Sequence, residues 1–438
     1  MLLYWKVLGL EIRGNAEVNR ILGVMLVGLL AVGAGLCALL RAGPPSAGAQ
    51  REGTVEVTVT PSPGATLTPQ PAPTTVRERE TRAVWVSRWD LQSHADVARI
   101  VARVADAHMN TIFFQVRGQA DALYTPGLEP WSAVLAGALG RDPGWDPLAE
   151  ILTRAHAAGI HTYAWVNAYT AWMGDTPPPA VTPKPMYLDL SDRFGNEWLQ
   201  WQGSRPPRLV AGQYLWANPA HPAVADRVVA VCKDLLSRYP LDGLQLDYVR
   251  YAGRDFSLDP VSNQAYSAAL ARDPNLSRAD WQRAQVTSLV QRVRDEALPV
   301  RPGARLTTTA WPVYRDRWGY VDGRDGYSEY YQDAQGWARQ GLVAAIVPML
   351  YGPTMRAHPE RYEVLARDAV TGAEPGGVVL GIGADLDSFA AIAAQIDAGR
   401  RAGALGQAFF SYSALEEHNY WAALRDGPYR QPAEPNWP

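Results

Sequence analysis

From Arg82 onward, short apolar runs alternate with longer stretches in which apolar residues recur at helical spacing. The first run, AVWVSRW, predicts a buried strand, and the stretch HADVARIVARVADAHM that follows predicts an amphipathic helix. This pair of a strand and a helix then repeats along the chain. The predicted strands are 83–89, 110–117, 160–167, 242–251, 304–311, 343–351, 377–383 and 406–412. The predicted helices are 94–109, 146–158, 221–239, 278–298, 330–340, 360–370 and 388–401.

Continuously apolar strands joined by helices indicate a parallel sheet whose outer face the helices cover. Eight such units close into a barrel of about 250 residues plus insertions. We therefore predict an α/β fold, a (β/α)8 TIM barrel with long loops on its C-terminal face. An open, doubly wound sheet is the alternative, because sequence alone does not reveal closure. The segment GIGADL at 381–386 lacks the third glycine and the acidic partner of a dinucleotide-binding fingerprint, and it is interpreted as a turn.

The composition excludes several classes of protein. Cys37 and Cys232 are the only cysteines, too few for a disulfide scaffold, a zinc finger or an iron–sulfur site. The net charge is -3 and no basic block occurs, which argues against a nucleic-acid partner. Lys6, Lys184 and Lys233 are the only lysines, so a Schiff base or a Walker A site has little support. The 7 histidines show no metal-binding spacing, and no metal or cofactor is predicted.

The N-terminal part of the chain carries a membrane signal. Residues 21–40 are uncharged and about long enough to cross a hydrocarbon core of roughly 30 Å. Arg13 and Arg20 precede this segment, and an A-x-A pattern at 47–49 offers a cleavage site before Gln50. A retained transmembrane anchor and a cleaved signal both remain open. Both predict an extracytoplasmic protein, either anchored in the membrane or secreted to the cell envelope.

The remaining organisation follows from composition. Residues 1–20 form a short N-terminal segment, and 41–80 are a Pro/Thr-rich linker that cannot bury enough apolar surface to order itself. Residues 81–425 are predicted to form the barrel domain, and 426–438 a C-terminal tail.

Polar and aromatic side chains cluster where the predicted strands end. In a barrel of this kind, chemistry gathers at the carboxyl ends of the strands and in the loops that follow. The two longest connections, 118–145 and 168–220, leave from the same face and are rich in tryptophan and tyrosine. Such a cleft suits a sugar polymer, because sugar rings pack on aromatic faces while hydroxyls need polar partners. The residues at these strand ends are Trp89, Asp90, Arg117, Asn167, Asp247, Arg250, Trp311, Tyr351 and Tyr412.

The segment DGLQLDYVRY, 242–251, carries the strongest candidate. Side chains alternate across a strand, so Gln245, Asp247 and Val249 are predicted to face the barrel interior, and Leu244 and Leu246 the helices. Asp247 then lies near the upper rim.

A carboxylate at that depth must be paired, hydrogen-bonded or functional, because unpaired burial is costly. Catalysis by Asp247 and a simple ion pair with Arg250 or Arg117 are the two interpretations. Asp242 lies at the opposite end of the strand, where a role in a turn or in pairing with a helix is favoured.

Seven linked motifs resemble the glycosyl hydrolase-like 10 family. They are TRAVWVSRW, FFQVRGQADALY, GWDPLAEILTRAHAAGIHTYAWVN, WANPAHPAVADRVV, LDGLQLDYVRYAG, YYQDAQGW and VPMLY, spread from 81 to about 424. The resemblance implies a bacterial envelope protein with a TIM barrel that hydrolyses glycosidic bonds. Some members are similar to divisome-associated hydrolases that cut peptidoglycan glycan strands.

The resemblance also implies roles for individual residues. Asp247 falls on the aspartate of the family's DG-x-x-x-D-Y strand, and Arg117, Asn167 and Tyr351 fall on its QVR, AW-x-N and P-x-x-Y strand ends. Met349 stands where the family often has glutamine, so a polar contact with sugar is missing there.

A glycosidase normally needs a second carboxyl group, as nucleophile or as base. Glu329 and Asp316 rank first, because they follow the next strand in chain order. The other candidates are Asp90, Asp121, Glu129, Asp322 and Asp385. An N-acetyl group of the substrate is a further option, but the chitinase-like pattern DG-x-D-x-D-x-E is rejected, since Gln245 and Val249 replace two of its acids.

The sequence therefore predicts a glycoside hydrolase that acts on a long glycan, with peptidoglycan strands as the expected substrate. Asp247 is expected to serve as acid or nucleophile, and nearby arginines favour its ionised form. Arg117, Asn167 and Arg250 are expected to bind hydroxyls, and Trp89, Trp311, Tyr351 and Tyr412 to stack on sugar rings. The alternatives are a non-catalytic glycan-binding envelope protein and a hydrolase of an α-glucan or galactoside.

Overall fold

The computed structural model describes residues 79–256, 258–386 and 388–438. Eight parallel strands close into one barrel. The closed ring confirms the predicted barrel and rules out the open, doubly wound sheet. The barrel strands are β1 (Thr81–Val86), β2 (Thr111–Arg117), β3 (His161–Asn167), β6 (Gly243–Asp247), β7 (Arg305–Ala310), β8 (Ala345–Pro348), β9 (Gly377–Gly383) and β10 (Gly406–Phe410). Around the ring they follow the order β1-β10-β9-β8-β7-β6-β3-β2. A separate antiparallel pair is formed by β4 (Thr170–Trp172) and β5 (Leu215–Trp216).

Helices cover the outside of the barrel and confirm each helix predicted from the apolar spacing. They are α1 (His94–Asp106), α2 (Ala133–Ala136), α3 (Pro147–Ala157), α4 (Met186–Phe194), α5 (Pro222–Arg238), α6 (Pro260–Leu270), α7 (Arg278–Arg292), α8 (Ala334–Arg339), α9 (Pro353–Ala357), α10 (Arg361–Ala373), α11 (Phe389–Ala402), α12 (Tyr412–His418) and α13 (Trp421–Asp426). A π-helical segment, Val293–Ala297, and a short 3-10 helix, Leu298–Val300, extend α7.

The predicted membrane segment and the Pro/Thr-rich linker, 21–40 and 41–80, lie outside the described residues except for the last two of the linker. Among the helices that the structure does describe, none combines the length and the apolar character needed to cross a bilayer.

The position of each strand in the ring determines which loops face each other. Strands β1 and β7 are separated by three strands on either side, so they lie on opposite sides of the barrel. All eight strands point the same way, and their carboxyl ends therefore meet at one face. We call this face the barrel mouth, and the opposite face the barrel floor.

The barrel interior is filled by large side chains rather than by a channel. Trp85, Phe113, Tyr163 and Trp165 belong to one buried cluster that points inward from β1, β2 and β3. Trp437 joins this cluster from the C-terminal tail, with its ring centroid 5.0 Å from that of Tyr163.

The tail therefore closes the barrel floor. The backbone N–H of Glu80 donates to the Glu434 carbonyl at 2.9 Å, and the N–H of Asn436 donates to the Thr81 hydroxyl at 3.0 Å. Arg305, at the start of β7, donates from Nε to the Pro438 carbonyl at 3.0 Å.

The strand that carries Asp247 is shorter than the apolar run predicts. β6 ends at Asp247, and Tyr248 follows with φ of 51°, in the left-handed region that residues with side chains rarely adopt. Gln245 and Asp247 face inward as predicted, and Leu244 belongs to the outer core. Val249 also packs in the outer core, so the prediction that it shares the face of Asp247 was wrong. The turn at Tyr248 interrupts the alternation on which that prediction rested.

Candidate active site

Asp247 is the last residue of β6 and lies at the mouth with 7% of its surface exposed. Three donors hold its carboxyl group. Oδ1 accepts from the Thr309 hydroxyl at 2.5 Å and from the backbone N–H of Tyr248 at 2.7 Å. Oδ2 accepts from the indole N–H of Trp165 at 3.0 Å. The group is thus fixed in orientation, and Oδ2 keeps the greater capacity for another partner.

Burial raises the pKa of Asp247 above its ordinary value, even though Thr309, the Tyr248 N–H, Arg250 and Trp165 all act to lower it. The predicted effect of a nearby arginine is present, because Arg250 lowers the pKa, but burial outweighs it. A carboxyl group of this kind suits proton donation better than the sequence suggested. The ion pair offered as the alternative is also not formed, because Arg117 pairs elsewhere and Arg250 acts through its charge.

Arg250 is buried in a cage of aromatic rings. Its guanidinium carbon lies 4.9 Å from the ring centroid of Trp216, 5.4 Å from Tyr248, 5.0 Å from Trp311 and 4.8 Å from Tyr330. These rings come from three separate connections, the excursion 168–220 and the loops after β6 and β7. Arg250 thereby joins three loops into one wall beside Asp247.

A second arginine occupies the side of the mouth above β1. Arg88 is buried, donates from Nη2 to the Tyr214 hydroxyl at 3.0 Å, and lies 4.8 Å from the ring of Trp89. Trp89 itself is 59% exposed. Gly118 makes room for the guanidinium, since a Cβ there would lie 1.8 Å from Arg88 Nη1. Sequence reasoning missed Arg88, although its place at the end of the first apolar run was the available signal.

These contacts form a continuous series that we call the aromatic ladder. Tyr214 meets Tyr248 edge to face at 5.4 Å, Trp216 lies 5.3 Å from Tyr248, and Trp311 lies 4.1 Å from Tyr330. The ladder follows one half of the ring, from the loop after β1 to the loop after β7. Its members are Trp89, Arg88, Tyr214, Tyr248, Trp216, Arg250, Trp311 and Tyr330.

Arg117 does not line the mouth, and its predicted role in sugar binding was wrong. It is fully buried and makes a two-bond ion pair with Glu129, at 2.8 and 2.9 Å. Its Nη1 donates to the carbonyl of Asn167. The apolar interior around the end of β2 leaves such a cation no route to solvent, so it braces neighbouring loops.

Asn167 is also buried, at 1% exposure, which contradicts a direct contact with substrate. It lies beside Asp247 in the register of β3 and β6, and its Nδ2 donates to the Gly118 carbonyl at 3.0 Å. Asn167 therefore positions the loop after β2, against which Arg88 packs.

Of the predicted stacking residues, Trp89 and Trp311 belong to the aromatic ladder. Tyr351 is partly buried and lies face to face with Phe410, with centroids 5.1 Å apart, so its role toward sugar stays a prediction. Tyr412 was wrongly placed. It begins α12, is 3% exposed and packs against Trp421 of α13, so its ring is buried between helices and does not present a face to sugar.

Asp316 and Glu329, the two candidates ranked first for the second carboxyl group, differ in what their side chains contact. Asp316 accepts backbone N–H groups of its own loop, from Tyr320 at 2.7 Å and Gly323 at 3.0 Å. Burial acts to raise its pKa, but these donors outweigh burial and lower it. Asp316 thus builds a loop and is a poor proton donor. Glu329 lies beside Tyr330 of the ladder and pairs with Arg254 at 3.2 Å.

Three other candidates for the second carboxyl group form hydrogen bonds or an ion pair within the fold. Asp121 is fully buried and accepts from the Ser132 hydroxyl at 2.6 Å, and Glu129 is fully buried against Arg117. Asp90 accepts from the backbone N–H of Ser87 at 2.6 Å. Burial raises the pKa of Asp90.

The remaining acids pair with other groups or are exposed to solvent. Asp385 pairs with Arg356, and the side chain of Asp322 is 90% exposed. Asp242 contacts His156 at 2.9 Å at the start of β6, which confirms its predicted pairing with a helix. No group of three or more His, Cys, Asp or Glu side chains converges on a metal site within the described ranges.

Residues 80–398 match the model of the family described as glycosyl hydrolase-like 10. The chain is 31% identical over 267 residues to glycosyl hydrolase DigH of Escherichia coli K12, covering 59% of this chain and 58% of the relative. It is 25% identical over 311 residues to glycosyl hydrolase YngK of Bacillus subtilis, covering 66% of this chain and 57% of the relative. The chain thus spans somewhat more than half the length of these relatives.

Solved structures with the same architecture include the glycoside hydrolase domain of PgaB (BpsB) from Bordetella bronchiseptica. The TM-score is 0.55 at 16% identity, over 80% of this chain and 98% of that one. The catalytic domain of β-amylase from Paenibacillus polymyxa gives a TM-score of 0.53 at 10% identity, over 78% of this chain and 94% of that one. At these identities the likeness concerns the barrel fold alone.

Proposed function

Because this chain belongs to the glycosyl hydrolase-like 10 family, we propose that it is a glycosidase that cleaves long glycan chains, with peptidoglycan strands as its substrate. The observation that carries the proposal is the carboxyl group of Asp247, whose pKa burial raises, beside an aromatic ladder at the barrel mouth. A proton donor next to a wall of aromatic rings suits the cleavage of a sugar polymer.

Asp247 acts as the general acid. Its protonated carboxyl group transfers a proton to the glycosidic oxygen as the bond to the leaving sugar breaks. Negative charge then develops on Asp247, where the Thr309 hydroxyl, the Tyr248 N–H and the Trp165 indole already point. These donors interact more strongly with the carboxylate than with the acid, so they favour the transition state over the ground state.

Glu329 is the proposed partner carboxylate. It lies in the loop after β7, next to Tyr330 of the ladder, and Arg254 holds its side chain in an ion pair at 3.2 Å. Asp316 is set aside because its oxygens are used by backbone donors. In this mechanism Glu329 activates water or attacks the sugar after substrate has entered.

The test compares the full wild-type chain with Asp247→Asn and Glu329→Gln. Each is incubated with cell-wall glycan stripped of peptides and with peptide-bearing cell wall, and new reducing ends are counted. We expect each variant to release at least about 100-fold less than wild type, the usual size for loss of an acid or base. Equal release by wild type and Asp247→Asn would remove Asp247 from the mechanism, and Asp90→Asn is the control for the other acid whose pKa burial raises.

One observation favours a second candidate function, a non-catalytic glycan-binding protein. Among the described residues, the hydrogen-bond partners of Asp247 include no second carboxyl group. Such a protein would sediment with cell-wall glycan but release no reducing ends as wild type. A parallel assay on an α-glucan and a galactoside separates a third alternative, a hydrolase of another polysaccharide.

The proposed substrate requires an extracytoplasmic location. The apolar segment 21–40 and the A-x-A pattern at 47–49 support export, as an anchor or as a cleaved signal. Fractionation of cells that express the full chain, followed by N-terminal sequencing, separates these two forms. Recovery of the uncleaved chain from the cytoplasm would contradict the proposed location.

A further inference from the structure

A second exposed tryptophan lies outside the aromatic ladder, in a loop that leaves the barrel mouth. Among the large apolar side chains that are exposed in the described residues, two are tryptophans, Trp89 at 59% and Trp318 at 39%. Trp318 belongs to the connection 311–333, which leaves from the carboxyl end of β7. Isolated exposed apolar residues need no explanation, but an exposed indole held in place by its neighbours does.

Trp318 is held by a stacked neighbour. Its ring lies nearly parallel to that of Tyr320, with an interplanar angle of 24° and centroids 5.6 Å apart. Arg361, the first residue of α10, lies 4.3 Å from the Tyr320 ring and donates from Nη1 to the Tyr320 carbonyl at 3.3 Å. The Trp318 indole therefore packs on a tyrosine ring that Arg361 holds in place, and its exposed surface faces solvent.

The loop beneath this pair is built around one carboxylate. Asp316 accepts from the backbone N–H of Tyr320, Val321 and Gly323, at 2.7, 3.2 and 3.0 Å. Arg317 pairs with Asp368 of α10 at 3.2 Å, which ties the loop to the outside of the barrel. Asp316 thus has a role that is separate from acid–base chemistry. It fixes the loop that presents Trp318.

Topology places the loops that carry the two exposed tryptophans after strands on opposite sides of the barrel. Trp89 follows β1 and Trp318 follows β7, and these strands face each other across the ring. The aromatic ladder connects the same two loops and passes beside Asp247. An extended chain that crosses the mouth from β1 to β7 therefore meets an aromatic surface at each end and the proposed acid between them.

We propose that Trp318, stacked on Tyr320, is a distal sugar-binding platform for the same polysaccharide chain that reaches Asp247. The inference rests on the proposed function and deepens it. The protein then recognises a stretch of chain long enough to reach from Asp247 to the loop after β7. Trp89 holds the chain on the β1 side, and Trp318 holds it on the β7 side.

The test uses the full chain as wild type, Trp318→Ala, Trp318→Phe and Val300→Ala. Val300 is a matched control, because it is 41% exposed and lies just before β7, on the side of the barrel floor. Two probes are compared, glycan strands stripped of peptides and a tetrasaccharide cut from them. For each protein, kcat/KM on strands is divided by kcat/KM on the tetrasaccharide.

We expect Trp318→Ala to lower this ratio about fivefold, the size that one aromatic contact supports. Trp318→Phe retains a stacking ring and recovers most of the ratio, and Val300→Ala matches wild type. The same ratio in Trp318→Ala and wild type would overturn the platform. A lowered ratio in Val300→Ala would overturn it as well, because the effect would then not belong to the site.

Failure of the proposed hydrolysis can be distinguished from failure of the proposed sugar-binding platform. If wild type hydrolyses neither probe, cosedimentation of each protein with insoluble peptide-stripped cell wall replaces the kinetic ratio. Weaker cosedimentation of Trp318→Ala than of wild type and Val300→Ala supports the platform without hydrolysis. Equal cosedimentation of all these proteins rejects it.

Discussion

The hydroxyl of Thr309 lies 2.5 Å from Oδ1 of Asp247 and joins β7 to β6 at the barrel mouth. This contact favours the carboxylate form, against the burial that raises the pKa of the same group. The two effects oppose each other, so removal of this hydroxyl should change the pH at which Asp247 loses its proton.

Thr309→Val removes that donor while keeping the shape of the side chain. The pKa of Asp247 rises further, because the ionised form loses a hydrogen bond. If Asp247 is the acid, it stays protonated to higher pH, and the alkaline limb of the kcat/KM profile moves up by about one pH unit. Thr309→Ser keeps the hydroxyl and is the control. An acid limb that moves up in Thr309→Val, with the alkaline limb unchanged, would assign Asp247 the role of base or nucleophile.

Arg250 combines two effects that substitution can separate. Arg250→Met removes a positive charge that lowers the pKa of Asp247, and it also removes the centre of the aromatic cage. We expect the alkaline limb to move to higher pH and KM for glycan strands to rise about tenfold. Arg250→Lys keeps the charge without the planar stacking, so it restores the limb but not KM. If Arg250→Lys restored both the position of the alkaline limb and KM, the aromatic cage would contribute nothing to glycan binding.

The barrel could be predicted from the sequence because the pattern of apolar strands and amphipathic helices repeats along the chain. Each strand is a run of apolar residues buried on both faces, and eight such runs with helices between them leave few alternatives. The position of Asp247 followed from the same logic, since side chains alternate up to the last residue of β6. The prediction for Val249 was wrong because the left-handed turn at Tyr248 leaves no mark in the apolar pattern.

The errors at the site share a physical origin. Arg117 ends a strand and Tyr412 follows one, much as Trp89 and Trp311 do, but segments that come shortly after them in the chain fold back and bury them. Glu129 reaches Arg117 from the loop after β2, and Trp421 reaches Tyr412 from α13. Ionisation of Asp247 was misjudged for a related reason, because sequence shows a neighbouring charge but not the burial that opposes it.

Arg117 and Glu129 should affect stability rather than recognition. Removing one partner of a fully buried, two-bond ion pair leaves an unpaired charge, at a cost of about 3–5 kcal/mol. We expect Arg117→Met and Glu129→Gln each to lower the free energy of unfolding by roughly that amount in urea denaturation. The double variant Arg117→Met/Glu129→Leu recovers much of the loss. A single variant of normal stability with weakened glycan binding would return Arg117 to the sugar-binding set.

Trp437 should be as important to the barrel as residues within its strands. Its indole fills the floor against Phe113 and Tyr163, with centroids 6.3 and 5.0 Å away, and its truncation leaves a cavity that the closed ring of strands cannot collapse to fill. Trp437→Ala is expected to cost about 3–5 kcal/mol and to lower the melting temperature clearly. Asn436→Ala is the matched control, because Asn436 contacts Thr81 through its backbone N–H, which the substitution keeps. If both variants had the melting temperature of wild type, the C-terminal tail would contribute nothing to stability, and the barrel interior would be closed by its own strands.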